Sequence, residues 1–401
     1  MKIGRLVPET IKAPVRRFQD YLNWTSASRN ERRRDITQGL GADPGNDAVI
    51  QHGLDWIALA QDKSRSQDGG VARHYSLQTG WGASYPETTG YIIPTFLEHA
   101  RHRNDPQLRE RARRMLDWLV SIQLPEGAFQ GSTIGTPQVI PTTFDTGQIL
   151  IGLSAGVREF GDIYRPTMRR TADWLVRMQD ADGCWRNRNA FVVVSDDRVY
   201  ETHVAWGLLE AAREDKAMPY GSCGLRNIEW ALTHQRSNGW FAHCCMDMPG
   251  QPLTHTVGYA LRGVVEGFLF SRDSRLLEAA VRTATGLLQA VSDEGRMSGR
   301  LCSDWSAFVP WVCLTGSVQI ALCWLLLYCE TGEKKFRDAA YAVNSFVRRT
   351  VRIEGPPEIV GGVKGAYPVS GAYCRFEYLN WACKFMIDSC TLEQDIRAKD
   401  A

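Results

Sequence analysis

This 401-residue chain has no stretch near the ~18 apolar residues that a membrane span needs. The longest apolar run, IALCWLLLY from Ile320 to Tyr328, lies between Gln319 and Glu330. The opening MKIGRLVPETIKAPVRRF lacks the apolar centre of a secretory signal. Net charge is nearly absent: 47 Lys and Arg against 45 Asp and Glu leave +2, with no basic stripe carrying interleaved aromatics, which argues against a nucleic-acid partner. No P-loop, dinucleotide fingerprint or CxxC spacing occurs, so no cofactor and no metal are expected. His243, Cys244, Cys245 and Cys302 make a poor zinc set, because adjacent cysteines rarely chelate one ion. The eleven cysteines are odd in number, and Cys313, Cys323, Cys329 and Cys383 sit within apolar helical runs. A reduced, cytoplasmic chain with thiols packed as small hydrophobes is the expectation.

What the chain does contain is a repeat. A polar loop, a variable residue, a Thr or Ser and then an apolar run recur at Thr88, Thr146, Thr202, Thr256, Thr315 and Ser370, separated by 58, 56, 54, 59 and 55 residues. An independent marker, QxxxGx(W/F), keeps the same period at Gln123, Gln179 and Gln235, with an echo at Gln61 and a decayed form at Gln289. Two markers at one period identify a stacked or closed array of one supersecondary unit.

From residue 45 two kinds of helix alternate. DPQLRERARRMLDWLVSIQ, DIYRPTMRRTADWLVRMQ and KKFRDAAYAVNSFVRR set an apolar stripe opposite an Arg-rich face, as an outer helix does. GYIIPTFLEHA, GQILIGL and HVAWGLLEAA are apolar nearly all round and suit burial on every side. Six of each predict an all-α fold, an (α/α)6 toroid of six hairpins with a period of about 56 residues. The expected divisions are a basic N-terminal arm over 1–42, the toroid over 43–390 and a polar tail over 391–401. The arm, densest at Arg32, Arg33 and Arg34, could touch an anionic membrane surface or a partner protein, but packing on its own domain is the simpler expectation.

Links from inner to outer helices read as short and polar. Links from outer to inner read as long and rich in Gly, Trp, His and Arg, which marks them as functional. They emerge at the end where the inner helices begin, so a cleft is expected there. Just before the marker Thr stand Glu87, Asp145, Glu201 and His255, four titratable groups aimed at one axis; His203 lies two residues into its helix. Around them the loops offer Arg73, His74, Tyr85, Trp185, Arg198, Tyr200, Arg300, Trp305 and Tyr367 as substrate-binding candidates. Carboxylates among aromatics and arginines suit a saccharide, whose apolar ring faces stack and whose hydroxyls take hydrogen bonds.

Plainer readings compete. Ser84 to Glu87 and Thr142 to Asp145 have the form of capping boxes. Glu201 has Arg198 three residues earlier, so no box explains it, and Tyr200 to His203 is the strongest catalytic stretch on this reading. The positive end of a helix favours ionised carboxylates and neutral histidines, which would make Glu87, Asp145, Glu201 and His255 bases rather than acids. The Gln of each QxxxGx(W/F) unit reads as a structural staple under an aromatic cover.

The QxxxGx(W/F) units resemble the repeats of terpenoid cyclases and of the prenyltransferase β-subunit fold, although no DxDD or DDxxD sequence is present. WGASYPETTGY, FDTGQILIGL, VYETHVAWGLLEA and THTVGYALRG look like the VpsJ-like proteins of bacterial exopolysaccharide biosynthesis and, more distantly, the toroids of sugar epimerases, glucuronyl hydrolases and polysaccharide lyases. That resemblance implies a bacterial cytoplasmic or membrane-associated protein of glycan assembly, and the expectation drawn from the residues is a carbohydrate-active enzyme acting on a charged sugar or a polysaccharide intermediate. Hydrolysis would use two of Glu87, Asp145 and Glu201. Epimerisation or elimination would use His203, His255 or Tyr200 as base, with an arginine on the sugar carboxylate. Two other classes stay open: a non-catalytic toroid that binds a glycan or a protein, and an isoprenoid-processing enzyme with an apolar cleft.

Overall fold

The computed structural model describes residues 23–186 and 197–400. After a first helix, α1 (Ser26–Thr37), the chain forms six hairpins of an outer and an inner helix. The outer helices are α2 (Asn46–Asp62), α4 (Pro106–Ile122), α6 (Arg165–Met178), α8 (Tyr220–Leu232), α10 (Ser274–Leu288) and α12 (Lys334–Arg348). The inner helices are α3 (Pro86–Arg103), α5 (Thr143–Phe160), α7 (Thr202–Glu214), α9 (Thr254–Ser271), α11 (Leu314–Thr331) and α13 (Asn380–Asp400). Each inner helix packs on the next, and α13 returns to α3, so the array closes as an (α/α)6 toroid.

Short corners follow from their sequence. Asn104 and Arg272 adopt left-handed backbone at φ 50° and 60°, ending α3 and α9, and the next Asp caps the outer helix. The Asp105 carboxylate accepts from Gln107 N–H at 2.8 Å, and that of Asp273 from Arg275 N–H at 2.9 Å. Neighbouring outer helices are joined by the repeated glutamines. Gln123 Nε2 donates to Gly127 O at 3.1 Å and, on the next outer helix, to Thr167 O at 3.1 Å and Thr171 Oγ1 at 2.8 Å. Gln179 and Gln235 make the corresponding bonds to Cys223 O and Ala279 O one repeat on, and Gln61 does so to Arg111 O.

Inner helices approach closely because glycine replaces side chains at their crossings. A methyl group on Gly207 would lie 2.3 Å from Gly147 O, and one on Gly152 would lie 2.1 Å from Gly90 O. Both obstacles are backbone, which cannot swing aside. Gly207→Ala should therefore destabilise the fold by about 3 kcal/mol, the upper range for overpacking, whereas the same change at Gly41, where a methyl group would meet only Arg349 O at 3.4 Å, should cost far less. Equilibrium denaturation of the two variants compares them directly.

Closure joins the first linker to the last. Strand β1 (His74–Ser76) pairs antiparallel with β2 (Gly80–Trp81) on one side. Beyond β3 (Val312–Cys313) and β4 (Ala366–Tyr367), which pair with each other, comes β5 (Glu377–Leu379); it forms the other neighbour of β1, with His74 opposite Leu379. At the seam, Asn380 Nδ2 donates to Ala72 O at 2.9 Å and to Thr88 Oγ1 at 2.8 Å.

Three expectations need correction. The sixth marker, Ser370, lies in a turn, and the sixth inner helix begins only at Asn380, because the intervening residues form β5. The polar tail of 391–401 is no tail up to residue 400: α13 runs through it, with Thr391, Glu393 and Ile396 buried. Glu393 is drawn inward by Arg348, whose guanidinium lies 3.0 Å away, and by Asn344 Nδ2 at 2.9 Å. Helix α11 is long and apolar enough to cross a membrane by composition, yet most of it is buried within the toroid as a core helix. Of the basic arm, residues 1–22 fall outside the described part. Helix α1 packs on the toroid, where Lys364 meets Glu31 and Asp35, and Thr25 Oγ1 donates to Leu77 O at 2.7 Å.

Candidate active site

The long linkers emerge at the end of the toroid where the inner helices start, and residues from five of the six enclose a cavity of about 380 Å³. Three titratable first-turn residues reach it: Glu87 from α3, Asp145 from α5 and His255 from α9. The linkers add Arg73, Tyr85, Arg198 and Tyr200. These seven sequence candidates are brought together.

The capping reading fails for the two carboxylates. Ser84 spends its hydroxyl on Asp68, at 2.6 Å, and α3 has no side-chain cap. Thr142 donates to Asp145 Oδ2 at 2.6 Å rather than capping α5, and Ser132 N–H donates to Asp145 Oδ1 at 3.3 Å. Tyr85 lies close enough to both Glu87 and Asp145 to favour their ionised forms. The two acids and the tyrosine thus line one buried site.

Their protonation also departs from the helix-dipole expectation. Burial pushes Glu87 up to about 8, with the Asp145 charge adding to the rise and Tyr85 and Arg73 opposing it. Burial pushes Asp145 up to about 6 against its bonds to Thr142 and Ser132. Desolvation outweighs the partial charge at the helix ends. The pair is consequently split: at neutral pH Glu87 holds a proton and Asp145 is ionised, the division an acid and base pair requires.

His255 is neutral, its pKa lowered to about 4 by burial. Its Nδ1 lies 2.8 Å from Gln319 Oε1, which fixes the proton on that nitrogen and leaves Nε2 as the basic atom. Gln319→Glu would put a carboxylate in place of the amide. The His255 pKa should then rise from about 4 toward the neutral range, readable as a shift of its ring resonances in an NMR titration.

The cations are already engaged. Arg73 pairs with Glu377 at 2.8 Å and lies over the Trp381 ring, 5.0 Å from its centroid. Arg198 pairs with Glu201 at 2.8 Å and donates to Trp185 O at 2.7 Å. Aromatic rings complete the wall: Phe144 lies edge-on to Tyr200 and Tyr259, and His255 packs on Tyr259 and Tyr373.

The remaining candidates lie elsewhere. Glu201 is fully buried behind the wall, held by Arg198 and by Thr143 Oγ1 at 2.8 Å, with its pKa pushed up to about 7 by burial. His203 sits below the cavity between Trp206 and Tyr259, its Nδ1 bonded to Gln148. Trp185 and Trp305 are buried staples whose indole N–H groups donate to Leu175 O and Asn238 O. Arg300 anchors a loop through Asp247 and Gln251 O. His74 lies in the closing sheet beside Glu377, and Tyr367 donates to Asp35 O beneath α1. Four aromatic wall residues, Phe144, Tyr259, Tyr373 and Trp381, escaped the sequence reading. Tyr259 was legible as the i+4 neighbour of His255; Tyr373 and Trp381 were hidden by the misplaced sixth marker.

A mostly helical (α/α)6 toroid with a charged, aromatic-walled cavity at one end is the class that fold and site define. A sequence profile of the squalene-hopene cyclase C-terminal domain matches residues 83–265, less than half of the chain. No curated protein sequence matches it. Among solved structures, a heparin-specific unsaturated glucuronyl hydrolase superposes with a TM-score of 0.69 at 15% identity, covering 88% of this chain and 99% of its own. D-mannose isomerase gives 0.69 at 11%, covering 88% and 97%. Cellobiose 2-epimerase from Bacillus thermoamylovorans gives 0.69 at 11%, covering 86% and 98%. At such identities the likeness is one of fold.

Proposed function

We propose that the protein is a carbohydrate-active enzyme that hydrolyses a linkage to a charged sugar, with Glu87 as general acid and Asp145 as general base. The observation that carries this reading is the pair of buried carboxylates, Glu87 and Asp145, that face one cavity beside Tyr85, with burial raising Glu87 further than Asp145. Glu87 would protonate the departing oxygen while Asp145 takes a proton from the attacking water. Arg73 and Arg198 would face the sugar's carboxylate, and Trp381 and Tyr373 its apolar ring face. The names of the structural neighbours, a glucuronyl hydrolase and two sugar-converting enzymes, support a saccharide substrate. The VpsJ-like resemblance supports a setting in bacterial glycan assembly.

One observation favours a second mechanism. Neutral His255 lines the same cavity with a free basic nitrogen, as proton abstraction from a uronate or an epimerising carbon would need. An isoprenoid reading asks for an apolar cleft, whereas this wall holds two carboxylates and two arginines.

The deciding experiment is a thermal-shift screen against uronic acids, uronyl disaccharides, nucleotide sugars and isoprenyl diphosphates, followed by product analysis of any sugar that stabilises the protein. Release of a reducing end supports hydrolysis, and solvent deuterium at a sugar carbon without cleavage supports the His255 route. Stabilisation by isoprenyl diphosphates alone, or by nothing, overturns the saccharide reading.

A further inference from the structure

A second cavity, about 390 Å³, lies between α1 and the linker that follows α12. That linker walls both cavities: Tyr373 and Cys374 face the first, while Arg349, Arg352 and Lys364 face the second. The second is strongly polar, and its charges can be paired off one by one. Lys364, buried in its floor, meets Glu31 at 2.6 Å and Asp35 at 2.5 Å. The other Asp35 oxygen accepts from Val369 N–H at 2.7 Å, and Arg352 faces Glu31 at 3.6 Å. Two acids thus balance two cations.

Arg34 and Arg349 remain. Neither forms an ion pair among the described residues, and the one hydrogen bond from the Arg349 side chain runs from Nε to Gly41 O at 2.9 Å, leaving its two terminal nitrogens. Both are half-buried, so water screens their charge only in part. In the same group, Arg352 Nε is buried without a hydrogen-bond partner. The one other acid on the lining is Glu354, exposed at the rim. Two cations against one exposed carboxylate leave this groove positive on a chain whose net charge is only +2.

We propose that this groove is an oxyanion-binding site, in which Arg34 and Arg349 grip a phosphate or carboxylate group of a ligand. Guanidinium forks match both groups, since each offers paired N–H donors to paired oxygens. The site stands apart from the Glu87 cavity and does not depend on the hydrolytic reading.

Titration calorimetry of the full chain at constant ionic strength, with inorganic phosphate, pyrophosphate and a galacturonate trimer as probes, tests it. The variants are Arg34→Gln, which removes a cation that forms no ion pair among the described residues, and Gln38→Glu, which adds a carboxylate to the rim while removing no cation. Saturable binding of a probe that weakens about tenfold or more in both variants is expected, the loss of one charged hydrogen bond or more. Phosphate probes alone would mark a phosphorylated ligand, and the trimer alone an acidic saccharide. Binding that is unchanged in both variants, or no saturable binding of any probe, overturns the proposal. Unaltered melting of the unliganded variants separates lost binding from lost folding.

Discussion

Glu87→Gln is expected to cut turnover of the stabilising sugar by about 10³-fold, the loss that follows removal of a general acid, and yet to leave the fold more stable than the parent at pH 9. Both effects have one cause. The Glu87 pKa rises from 4.5 to about 8 on folding because burial and the Asp145 charge disfavour its ionised form. A carboxyl raised in this way contributes its full share of stability below pH 4.5, and that share is lost as pH climbs through 8. Over that window the parent should therefore lose stability relative to Glu87→Gln, by on the order of a few kcal/mol. Asp145 adds a smaller loss of the same sign between its ordinary 3.8 and about 6. Chemical denaturation at pH 5, 7 and 9 reads the stability, and initial rates read the catalysis. In the parent, the rate should fall below pH 6 as Asp145 gains a proton and above pH 8 as Glu87 loses one. A variant that kept its activity would remove Glu87 from the mechanism.

Arg198→Met should be the most damaging single change near the site, destabilising the fold by about 3–5 kcal/mol at pH 9. Among the described residues Arg198 supplies the one cation paired with Glu201, whose carboxyl is fully buried and has one oxygen with no hydrogen-bond partner there. Without the guanidinium a buried carboxylate is left uncompensated, and its pKa, already pushed up to about 7 by burial, climbs further. The penalty should therefore shrink as pH falls, since protonating Glu201 relieves it. At pH 5 the variant should lie much closer to the parent. Glu201→Gln, by contrast, keeps a group able to bond Thr143 and should retain most of the turnover, because Glu201 itself does not line the cavity. Unfolding curves for Arg198→Met at the two pH values, set beside rates for Glu201→Gln, check both statements. A stability loss independent of pH would assign the damage to packing instead.

The toroid was legible because it is periodic. Stacked hairpins bury their faces against copies of themselves, so the same demands return every 56 residues or so, at Gln123, Gln179 and Gln235 on the outside and at the glycine crossings within. The end that carries the cavity was legible for a related reason, since long linkers must leave by the end at which the inner helices begin. The break came at the sixth repeat, where an inserted strand closes the ring on β1 and displaces the inner helix to Asn380. Closure is a contact between residues about 300 positions apart, and no local periodicity encodes it.

Protonation and pairing lay further from reach. Glu87, Asp145 and Glu201 occupy corresponding places in successive repeats, and reasoning from helix ends treats them alike. In the folded chain two of them look into a shared cavity beneath Tyr85, while the third turns behind the wall to Arg198. A residue's place in a repeat follows from spacing along the chain, so order and architecture can be read from the one-dimensional pattern. A side chain's charge state depends on which other repeats desolvate it and which cation reaches it first, and those distances exist only once the ring has closed.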